Sequence, residues 1–156
     1  MNDHRIERLL SDGDLVAVEE DVRSIVAHWE AALRDRSVAK TAELPPDAAF
    51  RFLYTSGLQV ATAVLRAAGY RARGRRHHYA TFYALRGLDH EALNDLGAEM
   101  DGFRPLRHRA VYEPEARLEA EEVEAMAAAV ERLFAAANRY VIDRHPSLEG
   151  RLEIPV

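Results

Sequence analysis

The chain has 156 residues, 48% of them hydrophobic and 30% charged, with a formal net charge of −5 and no cysteine. That length fits one domain with a single core, and the absence of thiols excludes a disulfide framework, Cys-ligated zinc, iron–sulfur clusters and thiolate catalysis. No apolar run approaches the ~18–20 residues needed to cross a bilayer, and residues 1–13 are too polar for a signal peptide, so a cytoplasmic protein without membrane association is expected.

Ala, Glu, Leu and Arg dominate and favour helix, and no run alternates in the manner of a strand. The predicted fold is all-α. A short helix over residues 3–10, starting at Asp3, carries Ile6, Leu9 and Leu10. Leu15, Val18, Val22, Ile25, Trp29 and Ala32 recur at three- and four-residue steps. They predict a long helix over residues 14–36, capped by Asp12 or Asp14. Pro45-Pro46 breaks the chain and restarts it. The next helix carries Phe50, Leu53, Tyr54, Gly57, Val60, Ala61, Val64 and Ala68, with Gly57 on the apolar side and Gly69 as its stop. Residues 69–78 read as an arginine-rich loop, and residues 78–86 as a short helix with Phe82 and Leu85 inward. Asp89 is the expected cap of a helix bearing Leu93, Leu96, Met100 and Phe103, which Pro105 ends or kinks.

The last helix is expected from about Arg117. Its stripe is Val123, Met126, Val130, Leu133, Phe134, Ala137 and Val141. Glu119, Glu121, Glu122 and Glu124 suit its positive end, and Pro146 stops it. Residues 146–156 read as an extended tail beyond a core of about residues 15–145. Four main helices with short connections predict an antiparallel four- to five-helix up-and-down bundle. The apolar stripes read as core, and the amphipathic first and last helices offer faces for a homodimer.

Charge is distributed unevenly. The cations are 20 arginines and one lysine, Lys40. Between Arg66 and Tyr112 lie nine arginines against five acids, a local +4 in a chain of −5, together with His77, His78, His90 and His108. A basic centre in an acidic protein suits an anionic ligand, and arginine's planar fork suits phosphate. Arg73, Arg75, Arg76, His78, Arg104 and Arg109 are the candidate phosphate-binding residues; a solvated arginine-rich loop is the plainer reading. His77 and His78 are adjacent, so they do not share a helix face, and no acid stands at ligand spacing. A role at the start of a helix is expected for them, with neither metal nor cofactor.

Arg107-His108-Arg109-Ala110-Val111-Tyr112 lies just after Pro105 and just before the last helix. On a helix, Arg107 projects near His108, Val111 and Tyr112. A guanidinium beside an imidazole and a phenol suits gripping a phosphodiester during attack by a 2′-hydroxyl. Internal hydrogen bonding across the bundle is the alternative.

The helix order, the segment Ala67-Ala68-Gly69-Tyr70-Arg71-Ala72-Arg73-Gly74, His77-His78 and the Arg107 segment before an acidic final helix together resemble the HEPN superfamily. The resemblance covers about residues 15–140. It is nearest to the Streptomyces-type subgroup and more distant from the HepT-like toxins. It implies a small helical bundle that dimerises, often encoded beside a nucleotidyltransferase antitoxin. It also implies metal-independent RNA cleavage by an arginine and a histidine. Arg107 and His108 match the family's arginine and the polar position after it, whereas Tyr112 stands where the family has histidine. Tyrosine, with an ordinary pKa near 10, is a poor base at neutral pH. The expected function is therefore binding of RNA or a nucleotide through an Arg-rich cleft, without catalysis. A metal-independent endoribonuclease or toxin, with Arg107, His108 and Tyr112 as catalytic candidates, is one alternative. A dimeric helical scaffold is another. Arg139 and His145 repeat the literal arginine–histidine spacing at the end of the last helix.

Overall fold

The computed structural model describes residues 4–41, 43–113, 115 and 117–156. These form seven α-helices, a two-stranded sheet and a 3₁₀ turn, so the fold is all-α as expected. The helices are α1 (His4–Asp12), α2 (Val22–Ala39), α3 (Pro46–Ala68), α4 (His77–Leu85), α5 (Glu91–Gly102), α6 (Arg104–Tyr112) and α7 (Ala120–Arg144). The strands are β1 (Leu15–Ala17) and β2 (Tyr70–Ala72). The predicted first-helix start, Asp3, lies outside the described residues.

The long helices alternate in direction. Ser56 Oγ donates to the carbonyl of Ala32, and His28 Nδ1 donates to Gln59 Oε1, so α2 and α3 run antiparallel. Arg144 Nε donates to the Ala67 carbonyl while Val130 packs at Gly57, so α3 and α7 run parallel. Arg132 pairs with Glu99, and the His90 ring meets Tyr140, so α5 runs against α7. This is the up-and-down order, with α3 at the centre. Gly57 faces that packing: a Cβ there would strike the end of the Met100 side chain of α5 and lie in ordinary contact with Val130 of α7. Trp29 of α2 meets Phe134 of α7 edge-on, with centroids 5.1 Å apart. Such pairs add ~0.5–1.5 kcal/mol beyond their area burial.

Three local expectations change. The long first helix does not begin near Asp14. Residues Leu15–Ala17 form β1, paired antiparallel with β2 in the register Leu15↔Ala72, and α2 starts only at Val22 with Asp21 as its cap. Leu15 is still buried, but through sheet pairing rather than a helical face. Gly69, at φ 92°, turns the chain left-handedly out of α3 and into β2, so the expected loop is partly strand. The cap of α5 is His90, whose Nδ1 accepts from Leu93 N, and not Asp89.

The tail is not an extended appendage. After the 3₁₀ turn Pro146–Leu148, the side chains of Leu148 and Leu152 are buried. Trp29 Nε1 donates to the Glu153 carbonyl at 3.1 Å, and Arg36 Nη1 donates to the Pro155 carbonyl at 2.9 Å. At the start of α7, Glu119 and Glu122 form a reciprocal capping box. Among the described residues no helix is long and apolar enough to cross a membrane.

Candidate anion-binding cleft

Two short helices bring the basic residues together. Gly74, at φ 84°, turns the chain after β2 and starts α4 at His77. Phe103 ends α5 and Pro105, in the first turn, starts α6, since a proline there lacks only an N–H that would be unpaired anyway. The starts of α4 and α6 face one cleft of about 730 Å³ above the middle of α3. From the α4 side it is lined by Arg75, Arg76, His77, His78 and Tyr79. From the α6 side it is lined by Arg104, Pro105, Arg107 and His108, and its floor is Tyr54 of α3. Among the described residues no aspartate or glutamate lines it.

Tyr79 links the two helix starts. The Arg76 guanidinium lies 4.8 Å from its ring centroid and that of Arg104 lies 5.2 Å away. Arg104 is further held by Asp101 at 2.6 Å. Arg76 approaches Asp14 only to 3.9 Å. Arg107 lies 5.6 Å from the centroid of the Tyr54 ring, and neither it nor Arg75 forms an ion pair with a carboxylate among the described residues. Neither α4 nor α6 has a side-chain cap on its first amides. His77 N donates to the Gly74 carbonyl and Pro105 brings no N–H to the first turn of α6, so the positive charge of the cleft comes chiefly from its arginines.

Tyr54 is 1% exposed, and its hydroxyl has no hydrogen-bond partner. A buried, unpaired hydroxyl costs about 1–3 kcal/mol. Burial pushes its pKa up to about 12, opposed by the charges of Arg107 and Arg104, so it remains a proton donor. Burial also pulls His78 down to about 4, assisted by His77 and Arg107. His78 is therefore a neutral imidazole at pH 7.

The cleft gathers Arg75, Arg76, Arg104, Arg107, His78 and His108 of the residues expected from the sequence. It leaves out three others. Arg73 is exposed on the strand side, and its backbone amide serves the Asp14 carbonyl. Arg109 turns to Glu122 of α7 at 3.2 Å. Tyr112 is 65% exposed, and its ring meets that of His108 at 4.9 Å between centroids. Arg107 thus points to Tyr54 of α3, not along its own helix to Tyr112. The alternative pair also lies elsewhere: Arg139 is exposed, and His145 sits against the Ala67 carbonyl and Glu20. His77 opens α4 with Nδ1 on the Gly74 carbonyl, and among the described residues no cluster of three metal-ligating side chains occurs. Tyr54 is the residue that the sequence hid. It lies on an apolar helical stripe, and only its hydroxyl distinguishes it from the core phenylalanines beside it.

No protein-family model, curated protein or solved structure matches the chain.

Proposed function

We propose that the cleft binds a phosphate-bearing ligand, RNA or a nucleotide, and that the protein is a HEPN-like binding module rather than a nuclease. The observation that carries this reading is the lining itself. Four arginines beside the starts of two short helices converge on one concavity that, among the described residues, no carboxylate lines. Such a surface favours an anion, and guanidinium forks are suited to phosphate oxygens. Binding without cleavage is the reading that Tyr112 supports, because it lies outside the cleft and stands at the position where the HEPN resemblance expects a proton-transferring histidine.

The test is a fluorescence-anisotropy titration with a labelled single-stranded RNA and with nucleotides, at several salt concentrations. Affinity should fall steeply with salt, because binding releases counterions, and Arg107→Ala should weaken it. Absent or salt-insensitive binding overturns the reading. Release of shorter RNA by metal-free protein would favour the nuclease alternative.

A further inference from the structure

Resting on the phosphate-binding reading above, we infer that the cleft holds the dianionic end of its ligand, a terminal phosphomonoester, rather than an internal phosphodiester, with Tyr54 donating to a phosphate oxygen at the floor.

Charge balance is the first argument. Of the four arginines in the cleft, Arg104 is neutralised by Asp101 at 2.6 Å, and Arg76 is within loose reach of Asp14 at 3.9 Å. Arg75 and Arg107 meet no carboxylate among the described residues. Two positive charges therefore remain uncompensated, one on each side of the cleft. An internal diester carries one negative charge. A monoester carries roughly −1.5 to −2 at pH 7. A monoester matches the surplus with a single group, whereas an internal stretch of RNA would need two adjacent phosphates in the cleft.

Donor geometry is the second argument. The donor residues come from three elements: Tyr54 of α3 at the floor, Arg75 and Arg76 just before α4 on one side, and Arg107 of α6 on the other. A monoester offers three free oxygens to these donors, while a diester offers two and must carry a sugar attachment on each remaining oxygen. The Tyr54 hydroxyl is buried without a partner, and the Arg107 guanidinium, 5.6 Å from the centroid of the same ring, is held by no carboxylate among the described residues. A terminal phosphate reaches that hydroxyl end-on; an internal linkage would have to bring both flanking sugars down with it.

The experiment uses one labelled RNA sequence in three forms: 5′-phosphorylated, 3′-phosphorylated and hydroxyl at both ends. Inorganic phosphate and adenosine 5′-monophosphate serve as competitors. A phosphorylated form should bind at least tenfold more tightly than the hydroxyl form, and inorganic phosphate should erase that difference. Displacement by the mononucleotide at the same concentration as by phosphorylated RNA identifies a free nucleotide as a sufficient ligand. Tyr54→Phe, which keeps the ring and Arg107's seat, should reduce the preference to less than threefold while the thermal melt shows a folded protein. Equal, salt-sensitive binding of all three forms overturns the inference and leaves the phosphate-binding reading standing. No binding by any RNA, phosphate or nucleotide overturns both.

Discussion

The Arg107 guanidinium lies 5.6 Å from the centroid of the Tyr54 ring, so a residue of α6 rests on the centre of α3 instead of on its own helix. This contact decides how the Arg107 segment is to be understood. The arginine is aimed inward at a basic cleft, away from Tyr112, and the ring holds it without neutralising it.

Arg107→Ala should therefore lower affinity for an RNA or nucleotide about tenfold or more, as expected when a charge-assisted hydrogen bond of ~1.5–3 kcal/mol is lost. Arg107→Lys keeps the charge but loses the planar fork, and should fall between the two. Anisotropy titrations at fixed salt measure both. An Arg107→Ala protein that binds as tightly as the parent would remove Arg107 from the site.

Tyr112→Ala should change affinity less than about twofold, because surface substitutions away from specific contacts act weakly. Tyr112 is largely exposed and lies outside the cleft lining. The same titration, with a gel of the RNA after incubation, checks it. A large loss of affinity or of cleavage would restore Tyr112 to the chemistry.

Much of this architecture is legible from residue spacing. The stripes of α3 and α7 are long, regular and buried as read apart from the half-buried Ala68 and Val123, because a helix of many turns repeats its pattern often enough to outweigh local exceptions. The sheet is not legible. Each strand has three residues, too few to show alternation, and Leu15, Val18 and Val22 fall by chance at helical steps. Pairing with a segment more than fifty residues away overrode that local pattern. The tail was misread for a related reason. Leu148 and Leu152 are isolated apolar residues without periodicity, and their burial depends on Trp29 and Arg36 offering partners to the tail backbone. In the site, the arginines were visible as a cluster, but only the fold separates Arg75 and Arg107, which face the cleft, from Arg109, which serves Glu122.

Gly97→Ala and Gly57→Ala should differ although both glycines lie in helices. At Gly97 a Cβ would meet the Phe82 carbonyl oxygen at 2.7 Å and Leu85 Cβ at 2.9 Å, neither of which can move alone. The expected loss is about 1–3 kcal/mol of overpacking. At Gly57 the obstacle is the flexible end of Met100, and alanine's better helix propensity returns ~0.8–1 kcal/mol. Urea denaturation should therefore place Gly97→Ala well below Gly57→Ala in midpoint. The reverse order would contradict the packing between α4 and α5.

Deleting residues 151–156 should destabilise the bundle and redden its fluorescence. Leu152 loses its burial, worth about 1.5–3 kcal/mol, and Trp29 Nε1 loses the Glu153 carbonyl. Trp29 is the single tryptophan and is fully buried, so its emission reports this site alone. An unshifted spectrum and an unchanged denaturation midpoint would show that the tail does not seal the core.

His78 makes stability depend on pH in a direction that the site geometry fixes. Its folded pKa, about 4, lies below the ordinary histidine value of 6.5, because burial and the neighbouring His77 and Arg107 disfavour the imidazolium. Between those two values the unfolded chain binds the extra proton and the folded chain does not, so protons favour unfolding. The contribution is fully present above pH 6.5. It declines as pH falls through the window and is gone below about pH 4. After allowance for solvent screening, its size is on the order of 1–2 kcal/mol. His78→Gln removes the titration but keeps a polar side chain. The difference in unfolding free energy between parent and variant should shift in the variant's favour as pH drops from 7 to 4. Parallel profiles across that range would mean that His78 is accessible and ordinary, and that the cleft does not bury it.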